Sequence, residues 1–331
     1  MGRLKQTLSR AGLNSFFLLL IGMILLARLI PEWGTASSPL PLKTITGAGI
    51  SIIFFFYGVK LSPQKLVKGL SNWKLHLLIQ ATTFLIFPLL VLVLYAIWGE
   101  EGNYLWLGTF YLAALPSTVS SSVVMVSIAR GNLPAAIFNA SISSMVGIFI
   151  TPVWMEVLLP DTAVSFDLTD TFIKLSLQVL FPVLIGLLLH KYLISFVNKF
   201  QRSLKNFDQA IILLIVFTAF AESFAEDMFM GYSVLELVRL GALMLLFFFV
   251  MMALMYWFSK MLHFSRADTI AVVFCGSKKS LVQGAVMGRV MFPDPTVFGI
   301  ILLPLMIYHA LQLLAGSAIA QKLGNQTETK A

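Results

Sequence analysis

The sequence predicts an all-α integral membrane protein with ten transmembrane helices in two inverted five-helix repeats. Three observations predict it. Of 331 residues, 58% are hydrophobic and 11% charged, and mean hydropathy is +0.89; soluble domains carry about 25% charged residues. Ten apolar runs approach or exceed the roughly 20 residues that a helix needs to cross the hydrocarbon. The basic residues also divide by side. With ten spans, 16 of the 23 Lys and Arg fall at the termini and loops of one side and five on the other. The positive-inside rule makes the richer side, with both termini, cytoplasmic. The expected location is the inner membrane of a bacterium.

In order, the runs cover 14–30, 43–60, 75–98, 105–129, 133–159, 171–194, 208–226, 233–262, 268–292 and 296–321. The first follows Arg3, Lys5 and Arg10 as a secretory leader would, but it stays apolar to Ile30 without a small-residue cleavage site. It is expected to remain as a span. The second is weakened by Gly47, Gly49 and Gly58. Between the second and third lies "LSPQKLVKGLSNWKLH" (61–76), with Leu66, Val67, Leu70 and Trp73 at helical spacing around Lys65 and Lys68. It fits a short helix on the cytoplasmic interface or a solvated basic loop.

The ninth run is the anomaly. Lys278 and Lys279 stand near its midpoint, where an ammonium costs roughly 2.5–3.5 kcal/mol on the lenient insertion scale. Halving the chain explains the position. Residues 14–159 and 171–321 each hold five spans, so the halves are inverted, and the fourth span should match the ninth. They read "LPSTVSSSVVMVSIARGNLP" and "FCGSKKSLVQGAVMGRVMFP". Each has a small polar cluster, then an arginine (Arg130, Arg289), then a proline (Pro134, Pro293). Pro116 with Ser117–Ser122 weakens one helix; Gly276, Ser277, Ser280 and Gly284 weaken the other. Broken backbone in a bilayer is tolerated where it is buried in protein or lines a cavity. Interruptions at matching places in inverted halves point to a transporter's central site.

Other classes find little support. The net charge of +8 sits beside apolar runs, so no nucleic-acid partner is expected. Cys275 is the only cysteine, which precludes an intramolecular disulfide. There is no phosphate loop, HExxH, metal cluster or Ser/His/Asp set at one depth, and His76, His190, His263 and His309 are scattered. Neither enzymatic activity nor a cofactor or structural metal is expected.

The segments "FCGSKKSL", "LSPQKLVKGLSNWKLHL", "DQAIILLIVFTAFAE" and "ILLPLMIYHALQL" resemble the bile acid:sodium symporter family, and within it the bacterial SBF-like (YfeH-like) branch. The resemblance covers the whole chain. It implies a panel domain of spans 1, 2, 6 and 7, a core domain of spans 3–5 and 8–10, crossing broken helices 4 and 9, and alternating access. It also implies a departure. Where sodium-coupled members keep a glutamate and a glutamine in the ninth helix, alignment on Gly276 puts Phe274 and Lys278. Two fifth-helix ligand positions become Ala136 and Ala140, and a third-helix glutamine becomes Thr83.

A sodium ion beside an ammonium is electrostatically poor. Lys278 is therefore expected in the sodium's place, bonded to freed carbonyls and to the hydroxyls of Ser120, Ser121 and Ser122, with protonation replacing sodium as the coupling event. Lys279 points about 100° away on a helix and needs an anion, so a small organic or inorganic anion is the expected solute and the lipid bilayer the other partner. Ser277, Ser280, Asn139 and Gln283, with Ser141, Ser143 and Ser144, are candidate lining residues. Glu222 either faces the cleft between domains or belongs to an outer charge cluster with Glu226 and Asp227. His309 and Gln312, three apart, are expected to hydrogen-bond between helices. Two alternatives stay open: a sodium-coupled organic-anion symporter with a rearranged site, and a non-transporting regulatory protein on the same fold.

Overall fold

The computed structural model describes residues 15–35, 37–60, 72–100, 102–158, 173–174, 176–227, 232–292 and 294–328. Among them all extended regular structure is helical. The helices are α1 (Ser15–Leu29), α2 (Leu42–Lys60), α3 (Trp73–Trp98), α4 (Tyr104–Ala114), α5 (Ser120–Ile128), α6 (Leu133–Leu158) and α7 (Ser176–Leu188). Then follow α8 (His190–Lys199), α9 (Gln201–Ala225), α10 (Val234–Met261), α11 (Arg266–Gly276), α12 (Leu281–Met291) and α13 (Pro295–Glu328).

Six stretches of described residues are long and apolar enough to cross a membrane: α3, most of α6, α9, α10, α11 with α12, and most of α13. The bent pair α7 and α8 makes a seventh if taken as one span. Shorter apolar helices occupy the first, second and fourth runs. On α3, Leu77, Leu85, Leu89, Val93 and Ile97 recur every four or eight residues and are exposed. Such a stripe suits lipid rather than water.

Packing sorts the helices into two groups. α2 lies against α7, α8 and α9, and α1 lies against α9. In the other group, α13 packs on α4 and α10, while α11 touches α3, α5, α6 and α10. α9 joins the groups by packing on α12 and α13. The α2–α7 contact depends on two glycines. A Cβ on Gly58 would meet the Val183 carbonyl, and one on Gly186 would meet the Phe55 carbonyl. One of the glycines that weaken the second span as a sequence, Gly58, thus allows the close backbone approach.

The sixth span ends earlier than the 171–194 expected. The chain turns through 97° after Leu188 into α8, where the His190 Nδ1 atom lies 2.7 Å from the Val59 carbonyl at the end of α2. Lys191, Tyr192, Phe196 and Lys199 are exposed on α8, the mixture expected of a helix lying in a membrane interface. The basic segment proposed for that role, 61–76, falls outside the described residues up to 71, and Trp73–His76 already belong to α3.

Burial ranks the spans. The apolar window of the α11–α12 stretch is 94% buried, against 33% for α10 and 39% for α3. The stretch with both lysines is therefore the centre of the molecule.

Candidate functional site

The centre is made by two interruptions that face each other. α4 stops at Ala114 because Leu115 precedes Pro116 and takes an extended conformation (φ −70°, ψ 154°). Helix resumes only at Ser120. α11 stops at Gly276, and α12 restarts after Ser280, whose hydroxyl accepts from the Gln283 amide as an N-cap. The breaks are stitched together. Ser117 Oγ donates to the Cys275 carbonyl (2.6 Å), Ser122 Oγ to the Phe274 carbonyl (3.1 Å), and the Ser280 amide to the Pro116 carbonyl (3.0 Å). The Ser117 amide donates to Ser143 Oγ on α6. Tyr308 OH caps the Ser277 carbonyl and Tyr111 OH the Gly284 carbonyl.

Lys279 completes the accounting. The last carbonyls of a helix lack internal partners and carry its negative dipole end. Of those on α4, Leu112 accepts from the Leu115 amide and Ala114 from Thr151 Oγ1. Ala113 and Leu115 accept from Lys279 Nζ at 2.6 and 2.7 Å. The third proton of the ammonium goes to the Thr83 carbonyl at 2.8 Å.

That carbonyl is free for a reason written in the sequence. Residues Thr82–Ile86 form a π turn whose closing bond runs from the Phe87 amide to the Thr82 carbonyl. Pro88 has no amide proton to offer. The next carbonyl, Phe84, is taken by the Trp154 indole at 2.6 Å. The Phe87 ring covers Lys279 Nζ, with its centroid at 4.1 Å. The Lys279 peptide is itself clamped: its amide donates to Gln312 Oε1 (2.9 Å), and Gln312 Nε2 donates to its carbonyl (2.8 Å). His309 Nδ1 lies 2.9 Å from the same Nε2.

Lys278, equally buried, is held far less. Its ammonium has the Ser121 carbonyl at 3.4 Å, the Met125 thioether, and the Phe274 ring centroid at 5.7 Å. It also lies within electrostatic range of Cys275 and His309. The bonding expected of Lys278 is therefore a correction: Lys279 gathers the freed carbonyls. Nor do the serine hydroxyls serve Lys278. Ser121 Oγ donates to Thr118 Oγ1 and Ser122 Oγ to Phe274; the Ser120 side chain lies outside the described residues. Hydroxyls reach neighbouring backbone most easily, and an ammonium with three carbonyls in range takes those first.

The other candidates disperse. Thr83 acts through its carbonyl, since its hydroxyl bonds back to Ile79. Ser277 Oγ bonds back to Val273. Asn139 works between α3 and α6: its amide donates to the Ala135 carbonyl, sits 2.8 Å from His76 Nδ1, and receives Gln80 Nε2. Gln283 Nε2 reaches the Ser144 carbonyl at 3.5 Å, and its Oε1 is buried without a partner. Ser144 Oγ bonds back to Ala140, and Ser141 Oγ to Ile137. Among the described residues no group of three or more His, Cys, Asp or Glu could hold a metal ion.

Glu222 is elsewhere. It lines a cavity of about 550 Å³ at the far end of α12, together with Arg289, Thr218, Thr296 and the chain around Thr35 and Ser38–Leu42. Arg289, which sequence reasoning read only as a flanking charge, also lines a second cavity of about 180 Å³ with Lys174, Gln178, Thr46 and Gly47.

The chain that carries this broken helix pair and its buried lysines matches a family model along nearly its whole length. The model of the SBF-like CPA transporter family fits residues 14–325. The chain belongs to that family. Among its relatives, an uncharacterized protein of Pseudomonas aeruginosa is 37% identical, with 96% of this chain and 95% of that protein covered. The Escherichia coli K12 protein named "Putative symporter YfeH" is 36% identical over 96% of this chain and 94% of its own. Sodium/bile acid cotransporter 7-B of Xenopus laevis is 31% identical over 94% and 92%. An SBF-like family member is a multi-pass membrane transporter, not an enzyme.

Proposed function

We propose that the protein is a secondary transporter of a small anion, working by alternating access without the usual pair of sodium ions. On this reading the ten runs are ten spans, 14–159 and 171–321 are inverted repeats, and both termini face the cytoplasm of a bacterial inner membrane. The panel is α1, α2 and α7–α9; the core is α3–α6 and α10–α13. The observation that carries the proposal is the ammonium of Lys279, donating all three protons to the carbonyls of Thr83, Ala113 and Leu115. A fixed cation there does the work of a bound metal cation, joining the backbone ends at the crossover.

Lys278, with a single carbonyl at 3.4 Å, is the group left to change its charge. A buried ammonium without a full set of acceptors is costly, so proton release to one side and uptake from the other follow the alternation of the core. The ammonium of Lys279, filled by three carbonyls, needs no counter-anion, contrary to the expectation from the sequence; the anionic solute is supported instead by the relatives named sodium/bile acid cotransporters. The test is uptake of labelled anions into proteoliposomes under imposed gradients. Uptake driven by a pH gradient and indifferent to sodium is expected; uptake that needs sodium and ignores pH would overturn the coupling scheme. The name of the Xenopus relative, a sodium/bile acid cotransporter, favours the sodium-coupled alternative, which the same experiment decides. Failure of uptake under both gradients would favour a regulatory role.

A further inference from the structure

We propose that Arg289 is the anion-binding residue of a substrate site formed by the two cavities it lines, and that its ligand is an organic anion whose body carries hydrogen-bond donors. The inference rests on the transport reading for its purpose but not for its geometry.

Arg289 stands in the last turn of α12 and lines both cavities. Its Nη1 is buried and has no hydrogen-bond partner. A guanidinium fixed for structural reasons is normally saturated by carbonyls or carboxylates. Glu222 and Asp294 lie near enough to act on Arg289 through space, but neither makes a hydrogen bond to Nη1. A planar fork with a buried, unused donor is the natural partner of a carboxylate, sulfonate or phosphate.

The two cavities assign the two ends of the ligand. The smaller, about 180 Å³, has Arg289 and Lys174 with Gln178 and Thr46, and no acid among its described lining residues. That volume suits one oxyanion head. The larger, about 550 Å³, lies in the range of small-molecule pockets. Its walls mix Pro39, Leu40 and Pro41 with the hydroxyl-bearing Thr35, Ser38 and Thr218. The one acid among its described lining residues, Glu222, accepts hydrogen bonds and repels a second negative charge. A monoanion with hydroxyl groups on a short chain meets both halves. The walls also come from both helix groups: α2, α9, Lys174 and Gln178 on one side, Arg289 and the start of α13 on the other. A ligand there bridges the parts that alternating access moves, so its binding bears on the cycle.

The experiment measures binding to the purified full-length protein in detergent, by ligand-induced change in Tm, and needs no gradient. The probes are gluconate and hexanoate, six-carbon carboxylates with and without hydroxyls. Gluconate is expected to raise Tm in a saturable way and to bind at least tenfold more tightly than hexanoate. Arg289→Gln should weaken gluconate at least tenfold, and Arg289→Lys less, since an ammonium keeps the charge without the fork. Gly47→Val provides a variant that leaves every charge in place. A Cβ on Gly47 meets nothing within 4 Å, so the fold should persist while the head-group cavity is filled and gluconate binding is lost. Glu222→Gln should narrow the preference for gluconate. Binding of neither probe to the wild-type protein, or unchanged gluconate affinity in Arg289→Gln or Gly47→Val, would overturn the proposal. Arg289-dependent binding without uptake under any gradient would sink the transport reading and leave the site standing.

Discussion

The two ends of α12 are both buried and polar, about 16 Å apart by helical rise, and they are built on opposite principles. At the Ser280 end almost every polar group is matched by the protein: three carbonyls on Lys279, two bonds from Gln312 to its peptide, and serine hydroxyls on the carbonyls of α11. At the Arg289 end a guanidinium nitrogen is left over beside two cavities. A saturated network holds a shape; an unsaturated donor beside open space waits for a ligand. The exceptions within the saturated end are the unpartnered Gln283 Oε1 and Lys278; of the two cations there only Lys278 is under-bonded, which is why coupling is assigned to it rather than to its neighbour.

The contrast is open to attack from its strongest point. Lys279→Met strands the carbonyls of Thr83, Ala113 and Leu115 and should cost about 3–5 kcal/mol. It should show as loss of monodisperse protein, or a large fall in Tm, in detergent. Lys278→Met should behave oppositely. Exchanging an under-bonded buried charge for an apolar chain is expected to change stability by about 1 kcal/mol or less, or to raise it, while uptake ceases to respond to an imposed pH gradient. If the two variants lost the same stability, the division of labour between the lysines would be wrong. Gln312→Leu removes both clamps on the Lys279 peptide and should cost about 2 kcal/mol by thermal melting. The smallest effect is expected of Trp154→Phe, which frees the Phe84 carbonyl beside Pro88 for about 1 kcal/mol. A larger loss would mean that the π turn on α3 depends on that indole.

Much of this was legible in the chain. The apolar runs located the long apolar helices, six of them long enough to cross a membrane among the described residues, and the small polar clusters of "LPSTVSSSVVM" and "FCGSKKSLVQG" located the interrupted centre. Pro116 and Gly276 broke their helices where expected, because proline and glycine act locally. The carbonyl bonding expected of Lys278 falls instead to Lys279. Adjacent residues share a sequence environment, and what separates them is which carbonyls lie within 3 Å after folding. Those carbonyls come from residues 83, 113 and 115, and backbone oxygens carry no side-chain signature. Asn139 illustrates a related failure: an amide in a membrane span needs partners, but its composition does not say whether they lie at the crossover or, as here, at His76 and Gln80. Arg289 was legible as a landmark and invisible as a site, because a cavity is made of space between elements.

The sequence by itself determined the solvent and the breaks. Transfer of apolar side chains into lipid depends on composition over about 20 residues, and helix interruption on one or two residues. Only the tertiary structure decided which buried cation is saturated and which is not. Hydrogen bonding at 2.6–2.8 Å is a property of positions in space, and here the partners of Lys279 lie 164 to 196 residues away along the chain.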